Sequence, residues 1–262
     1  MRRPAAAGLL AIVVAVSAGA CGGSSDSTPV QAAGSGAFQV APGSSPSDVA
    51  GQTTTAPATP PARPSTPEYV SAYLPRGGGL YAKPGGKRLA SLGRTTTFGS
   101  PQVLAVVKRR GAWLNVISSQ LPNNRTGWVR AQGARLVSTT WQLRLDRSAR
   151  RLSVVKAGKV VLTTPVAVGR PNTPTPLGTF AVTDKLRLKR YSPYGCCVLA
   201  LSGKQETELS NWSGGARLAL HATTDESSIG QAVSHGCIRA PTTIMKRLLR
   251  EIPLGTRMVV RE

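Results

Sequence analysis

A chain of 262 residues is longer than the usual single domain, so its length predicts two folded units together with unstructured segments. Its formal net charge is +22, from 33 lysines and arginines against 11 acidic residues. The basic residues are scattered and form no recognisable nucleic-acid module, which together with the export signal described next excludes nucleic acid as a partner. Two interpretations of the charge remain open: attraction to anionic polymers or a membrane surface, and a solvated basic surface with no chosen partner.

Residues 1–20 are interpreted as an export signal. Two arginines precede an apolar stretch from Ala5 to Val16, and small residues continue to Ala20. The stretch is too short, and too rich in small residues at its end, for a permanent membrane span. The segment that ends at Cys21 is similar to a lipoprotein processing site, which would make Cys21 a lipid anchor at the outer face of the cytoplasmic membrane. The alternative is ordinary cleavage after Ala20, which leaves Cys21 as a free thiol.

Residues 21–66 are interpreted as a disordered tether. They consist almost entirely of Gly, Ser, Thr, Ala and Pro, with little charge and one aromatic residue, Phe38. Such a segment buries too little apolar surface to offset the entropy of ordering it. A flexible chain of this length has a root-mean-square reach of roughly 35–40 Å. The tether would let the folded part work at a distance from the membrane, although a spacer of untuned length explains it equally well.

Residues 67–138 have the pattern of a small β domain. Short apolar or alternating runs are separated by Gly, Pro and Asn, at residues 79–82, 103–107, 113–117 and 126–129. The succession Gly111-Ala-Trp113-Leu-Asn-Val, a polar loop and Gly127-Trp128-Val129 resembles a bacterial SH3-like domain, which implies a small β-barrel. Trp113 and Trp128 are expected in its core in preference to a ligand platform. We expect the domain to position the remainder of the chain in preference to binding independently.

Residues 139–262 predict a second, mainly β domain with short helices. A hairpin is expected from 141 to 164, with Gly158 in its turn, and further strands at 178–182, 198–201, 217–221 and 256–260. Thr223 and Glu226 have the spacing of a capping box, which predicts a short helix as far as Gly230. Pro241 is expected to begin a second helix that ends before Pro253. Its apolar stripe is expected to be buried and consists of Ile244, Met245, Leu248, Leu249 and Ile252.

The two histidines of the chain both lie within sixteen residues of one cysteine. His221 ends a predicted strand, and His235 lies in the segment Ser234-His235-Gly236-Cys237-Ile238-Arg239. A thiol with a pKa of about 8.5 is only a few per cent thiolate at neutral pH, so a cysteine nucleophile needs a neighbouring imidazole. The pattern therefore predicts nucleophilic catalysis by Cys237.

This pattern resembles the L,D-transpeptidase family, the YkuD-type enzymes that join peptidoglycan stem peptides. The resemblance runs from Trp141 to Val260 and includes the turn Pro174-Thr-Pro-Leu-Gly-Thr-Phe180. It implies a YkuD-type β-sandwich or mixed sheet, and a cysteine-dependent acyltransferase with no cofactor and no metal. Its partners would be a donor tetrapeptide and an acceptor stem, with anionic wall polymers as a further counter-charge. Carbapenems would acylate Cys237.

The resemblance also implies the roles of the motif residues. Cys237 attacks the donor, and His221 is the general base, with its other nitrogen held by the carbonyl of Ala222. His235 tunes the thiolate or supports an oxyanion loop. That loop contains Ser234, with amide groups from Gly236 and Cys237. Arg239 either meets a substrate carboxylate or braces the loop.

Other interpretations stay open beside this one. An L,D-carboxypeptidase has the same apparatus but resolves the thioester with water, and a wall-binding lipoprotein with a decayed site is a different class of protein. Two histidines and a cysteine can also bind catalytic zinc, which the metal-free family disfavours. Cys196 and Cys197 are expected to be small strand residues that line the substrate side of the sheet; a disulfide between them is possible in an exported protein but strained.

Overall fold

The computed structural model describes residues 66–188, 192–207 and 216–262. The predicted signal, the lipid anchor Cys21 and nearly all of the predicted tether lie outside these residues. The described chain is mainly β, as expected, and carries one α-helix and one short 3-10 helix. In this part of the chain, neither helix is long and apolar enough to cross a membrane.

The first sheet has seven antiparallel strands in the order β3-β2-β6-β5-β4-β1-β7. The strands are β1 (Tyr69–Tyr73), β2 (Gly78–Tyr81), β3 (Arg88–Leu92), β4 (Val103–Arg110), β5 (Trp113–Ile117), β6 (Thr126–Arg130) and β7 (Arg135–Thr139). All four strands predicted in this region are present. Alternate residues of the strands, such as Leu80, Leu114 and Val129, meet in one buried cluster. The SH3-like assignment of this sheet stays a prediction.

Trp113 and Trp128 are not part of that buried cluster, so their expected place in the core is wrong. Each is adjacent in its strand to a core residue, and side chains alternate between the two faces of a sheet, so both rings lie on the opposite face. The Arg130 guanidinium lies 4.8 Å from the Trp113 ring centroid, and the Lys108 ammonium lies 5.7 Å from that of Trp128. These cations cover the rings in place of a hydrophobic core.

The second sheet has eight strands in the order β10-β9-β8-β17-β12-β13-β14-β16. It is mixed, because β8 pairs with β17 and β14 with β16 in parallel. The members are β8 (Trp141–Asp146), β9 (Arg151–Lys156), β10 (Lys159–Pro165), β12 (Gly178–Arg187), β13 (Cys197–Lys204), β14 (Arg217–His221), β16 (Ile238–Arg239) and β17 (Arg257–Arg261). A separate parallel pair is formed by β11 (Val168–Gly169) and β15 (Ala232–Ser234). Gly158 has a φ of 80° in the turn between β9 and β10, as predicted.

The single α-helix of the described residues, α1 (Thr242–Glu251), covers one face of this sheet. Its predicted apolar stripe is buried at four of five positions, and Ile244 is only partly buried. Met245 and Ile252 are fully inaccessible and join the core beneath β13 and β14. Pro241 is the N-cap and not the first helical residue. Helix α1 therefore packs on the face of the sheet opposite to the one that carries the predicted site residues.

The predicted capping box after His221 is wrong. The helix there is a single 3-10 turn, η1 (Glu226–Ser228), and its N-cap is Asp225, whose carboxylate accepts from the amide of Ser227. The Glu226 carboxylate instead accepts from the amide of Thr242 at 3.0 Å. Glu226 thus connects η1 to the start of α1. The sequence pattern assigned its carboxylate to the cap of its own helix, but the carboxylate binds the amide of a residue far along the chain.

The two sheets are joined by both apolar and polar contacts. Ala105 and Ile117 of the first sheet pack against Ala181 of β12. At the end of β13, the Asn123 side chain donates to the carbonyl oxygen of Lys204 at 2.7 Å and accepts from its amide at 2.9 Å. A side-chain amide that satisfies both backbone groups of one residue extends the hydrogen-bonding pattern of the strand.

Candidate active site

Strand register places the predicted nucleophile and base on one face of the second sheet. Across β14 and β16, His221 lies opposite Arg239, and Leu220 lies opposite Ile238. Leu220 and Ile238 are fully buried in the core. Since side chains alternate along a strand, His221 and Arg239 point away from that core, as does Cys237, two residues before Arg239. We call this face, which carries His221, Cys237 and Arg239, the site face.

His221 is held in one orientation. Its side chain is buried, and Nδ1 lies 2.5 Å from the carbonyl oxygen of Ala222, as the family resemblance implies. Because a carbonyl only accepts, Nδ1 must carry the hydrogen, which leaves Nε2 as the acceptor in the neutral ring. The Tyr194 ring contacts the imidazole edge-on, with centroids 4.9 Å apart. The Ala222 amide donates to the carbonyl oxygen of Cys197 at 3.0 Å, which fixes the residue that orients the imidazole.

The pKa of His221 is lowered to about 4, mainly by burial and in part by the positive charge of Arg239. Hydrogen bonds of the ring with the backbone of Ala222 and of Tyr194 oppose that shift. The imidazole is therefore neutral at pH 7. A neutral imidazole has the protonation state that a general base requires.

Cys237 is partly buried beside the other predicted groups. Its Sγ lies 3.9 Å from the carbonyl oxygen of Arg217, and the residue packs against the small buried cluster that contains Ala219. Burial raises the pKa of the Cys237 thiol, opposed by a backbone hydrogen bond with Ala219 and by the charge of Arg239. The resting cysteine is therefore a thiol, so attack requires transfer of its proton to a base.

The loop before Cys237 is closed by Ser234. Its hydroxyl donates to the carbonyl oxygen of Cys237 at 2.6 Å and accepts from the Gly236 amide at 3.0 Å. The Gly236 amide is therefore already engaged within the loop, and the expectation that it stands exposed for an oxyanion is not met. Gly236 has a φ of 112°, and a Cβ there would lie 2.3 Å from Nε2 of Gln205. Glycine is favoured at this position by its backbone conformation, and an added Cβ would displace the side-chain amide of Gln205.

Three supporting residues were missed by the sequence analysis. The Thr175 hydroxyl donates to the carbonyl oxygen of Gly236 at 2.8 Å, and the Thr173 hydroxyl donates to that of Ser234 at 3.2 Å. Nε2 of Gln205 donates to the carbonyl oxygen of His235 at 3.0 Å. Thr175 belongs to the Pro174–Phe180 turn and Thr173 precedes it, so the composition of that turn was the one sequence feature that could have indicated them.

No sequence feature indicated Gln205, because its contact with the loop depends on how β13 approaches the loop in the folded protein.

His235 lies within the electrostatic influence of two arginines. Burial lowers its pKa, and the charges of Arg170 and Arg239 lower it further. Arg170 was not predicted. Its amide donates to the carbonyl oxygen of Ser234 at 3.0 Å, and its buried Nε has no hydrogen-bond partner among the described residues. Guanidinium groups in this position suit a carboxylate ligand.

Cys196 and Cys197 form a disulfide in the structure. Cys197 packs in the core with α1, and its neighbour Val198 points to the site face, so the expectation that both cysteines line the substrate side is wrong for Cys197. The turn before the pair approaches Ala222 closely: a Cβ on Gly195 would lie 2.7 Å from that of Ala222. The disulfide therefore belongs to the segment that carries Tyr194 against His221.

The described residues contain no group of three or more His, Cys, Asp or Glu side chains arranged to hold a metal ion. The zinc interpretation of the two histidines and the cysteine therefore lacks a ligand geometry in this part of the chain. A cavity of about 350 Å³ lies between the two sheets, and none of the predicted site residues lines it.

Comparison with known proteins agrees with the motif. Residues 141–260 match the model of the YkuD L,D-transpeptidase catalytic domain. A Bacillus subtilis protein named as the L,D-transpeptidase YqjB is 31% identical over 124 residues, which are 44% of this chain and 68% of that protein. The chain belongs to the L,D-transpeptidase family. The matched range coincides with the predicted extent of the resemblance, Trp141 to Val260.

Other members of the family match a similar part of the chain. Proteins named as the L,D-transpeptidase YkuD from Bacillus licheniformis and Bacillus subtilis are each 32% identical over 120 residues. These residues are 46% of this chain and span 65% of the length of those relatives. The crystal structure of an Enterococcus faecium L,D-transpeptidase mutant is 25% identical, with a TM-score of 0.37, over 47% of this chain and 50% of that one.

Proposed function

We propose that this L,D-transpeptidase family member cross-links peptidoglycan stem peptides through a thioester on Cys237. The observation that carries the proposal is the placement of His221: it shares the site face with Cys237 and has Nδ1 engaged by Ala222, so Nε2 is the nitrogen left to accept a proton. A base and a sulfur nucleophile in that relation are suited to acyl transfer.

In the first half-reaction, the proton of the Cys237 thiol passes to Nε2 of His221 as Sγ attacks a carbonyl carbon. That carbon belongs to the bond between diaminopimelate and the terminal D-alanine of a donor tetrapeptide. The tetrahedral intermediate collapses, the proton passes from His221 to the leaving amine, and D-alanine departs. A thioester between Cys237 and the shortened stem remains, and the imidazole is neutral again.

In the second half-reaction, an amine of the acceptor stem attacks the thioester carbonyl. His221 takes a proton from that amine and returns one to Sγ as the carbon–sulfur bond breaks. Arg239 and Arg170 flank His235 with positive charge, which favours a substrate carboxylate beside the reacting groups. The neutral resting state of Cys237 and His221 favours proton transfer during attack over a preformed thiolate.

We further propose that the enzyme is exported and acts at the cell envelope as a lipoprotein anchored through Cys21. The first sheet would position the catalytic sheet, a role supported by the contact of Asn123 with both backbone groups of Lys204. Anionic wall polymers are the natural counter-charge for a chain of net charge +22. Carbapenems are expected to acylate Cys237.

Mass spectrometry of products tests the proposal. The protein is incubated with purified disaccharide-tetrapeptide, beside the Cys237→Ala variant. A cross-linked dimer that has lost one D-alanine is the expected product, and it should be absent from the variant. Trimmed tripeptide alone would identify a carboxypeptidase. Product from Cys237→Ala would show that the proposed nucleophile is wrong, and bound but unchanged substrate would indicate a wall-binding protein.

A further inference from the structure

The first sheet contributes an exposed aromatic residue to the site face. Phe98 is 47% exposed and lies in the turn between β3 and β4. The Arg217 guanidinium lies 5.9 Å from its ring centroid. The carbonyl oxygen of the same Arg217 lies 3.9 Å from Sγ of Cys237. One residue of β14 therefore contacts both the exposed ring and the predicted nucleophile.

The turn that carries Phe98 is held rigidly by Thr96. The Thr96 amide donates to the carbonyl oxygen of Ser100 at 2.9 Å, and the Gly99 amide donates to that of Thr96 at 3.1 Å. The Thr96 hydroxyl accepts from the amides of Phe98 and Ser100, both at 3.2 Å. A ring on a closed turn loses little further freedom when a ligand covers it.

The same hydroxyl anchors the turn to the second sheet, because it donates to the Asp184 carboxylate. Asp184 is completely buried on β12 and lies opposite Ala200 of β13, which lies opposite Ala219 of β14. Paired residues project from the same side of a sheet, and Ala219 contacts Cys237 through its backbone. The Thr96 anchor is thus on the site face, in the same row of residues as Cys237.

The distance between Cys237 and the turn that carries Phe98 is comparable to the length of a stem peptide. From Asp184 to Cys237 the row crosses three strand intervals, or about 14 Å. The three stem residues that remain bonded to Cys237 after D-alanine leaves span at most about 11 Å. A shortened stem that lies across the strands therefore ends about 3 Å short of the Thr96 anchor. A side chain on the same turn can bridge that gap.

The direction in which the donor leaves the site follows from the position of the base. The acceptor amine must come within hydrogen-bond reach of His221 in order to lose its proton. The Tyr194 ring also lies at that end of β14, against the imidazole. The donor stem therefore extends toward the opposite end of β14, where Arg217 and Phe98 lie.

We propose that Phe98 is a substrate-binding residue, and that its ring contacts the aliphatic part of the donor stem while that stem is bound for transfer to Cys237. This inference rests on the function proposed above and adds a donor contact from outside the catalytic sheet. Arg217 supports the ring, and two of its five N–H groups are already committed to other partners. Its guanidinium is engaged by Thr183 at 2.8 Å and by the carbonyl oxygen of Leu201.

The test compares Phe98→Ala with Leu89→Ala in the full chain. Leu89 is 45% exposed in the same sheet, so its truncation removes a similar exposed apolar side chain away from the turn. Initial rates are measured with varied disaccharide-tetrapeptide at saturating acceptor, and the alkylation rate of Cys237 by iodoacetamide and the Tm are measured in parallel. The expected result for Phe98→Ala is a five- to tenfold higher KM for the donor, from loss of about half the burial of a Phe side chain. Its kcat, alkylation rate and Tm should stay unchanged, and Leu89→Ala should match the wild type throughout.

Two further variants sharpen the comparison. Phe98→Trp should keep the wild-type donor KM, and Thr96→Val should raise it with the ring still present, because the turn loses its anchor. An unchanged donor KM in Phe98→Ala, or an equal rise in Leu89→Ala, would overturn the inference. A wild-type protein that alkylates normally but forms no product would instead overturn the proposed function, and this inference with it.

Discussion

Nδ1 of His221 lies 2.5 Å from the carbonyl oxygen of Ala222, the next residue in the chain. The contact fixes the tautomer of a buried imidazole without a carboxylate partner, whose negative charge would have raised the pKa of the ring. The consequence is a base that is neutral in the resting enzyme and beside a thiol that is neutral as well.

The pH dependence of thiol alkylation checks this resting state. Because burial raises the pKa of Cys237, iodoacetamide should alkylate it about tenfold faster for each unit of pH from 6 to 8, with no plateau in that range. Rates are read from intact mass, with Cys237→Ala as the background. A plateau at pH 6 would indicate a preformed thiolate and imidazolium pair and would contradict the neutral state.

Stability should fall in acid because of His221. Its pKa is about 4 in the folded protein and about 6.5 in the unfolded chain, so below pH 6.5 the unfolded state takes up a proton that the folded state refuses. The stability is fully present above pH 6.5 and is lost progressively as the pH falls to 4, by roughly 3 kcal/mol in all. Urea unfolding at pH 7 and pH 4.5 measures the loss.

The matched variant for that measurement is His221→Gln, which does not titrate. Its free energy of unfolding should change less between the two pH values than that of the wild type, by about 2–3 kcal/mol. An equal loss in both proteins would assign the acid sensitivity to other groups.

Substitutions at two glycines distinguish the effect of backbone strain from the effect of crowding near the loop. Gly236 and Gly230 both have positive φ, 112° and 83°, but a Cβ at Gly230 would have no atom within 4 Å, whereas at Gly236 it would meet Gln205. Gly230→Ala should lose about 1 kcal/mol of stability and keep most activity. Gly236→Ala should lose at least tenfold in kcat, since Gln205 can no longer hold the carbonyl of His235. Equal kcat in the two variants would contradict this account of the loop.

Asn123 tests whether the first sheet supports the site. Asn123→Ala removes both hydrogen bonds to Lys204, the residue before Gln205, and should lower kcat severalfold with a loss of about 1–2 kcal/mol in stability. Asn124→Gly is the control. It removes the hydrogen bond of Asn124 to the carbonyl oxygen of Leu177 but suits the local φ of 59°. A fall in kcat of the same size in the control would place the effect outside the Lys204–Gln205 segment.

Much of the local structure could be predicted because it depends on nearby residues. The apolar run Val103–Val107, the hairpin turn at Gly158 and the apolar stripe of α1 reflect hydrophobic pattern and backbone preference, which act over a few residues. The same analysis failed at Glu226, whose carboxylate serves the distant start of α1 instead of its own cap. The prediction for Trp113 and Trp128 was also wrong. Both rings lie on one face of the sheet, and whether that face is buried depends on the side on which the core forms.

The linear chain was sufficient to predict the mainly β class and the family range from Trp141 to Val260, because motif spacing and hydrophobic period are visible in it. The grouping of His221, His235 and Cys237 in one site stays a prediction from the motif. The tertiary structure was needed to show that Thr173, Thr175 and Gln205 support the loop, that Arg170 and Arg239 lie near His235, and that the Phe98 ring contacts Arg217 from another sheet. Those contacts join residues that lie far apart in the chain, and strand register and sheet packing create them after the local elements have formed.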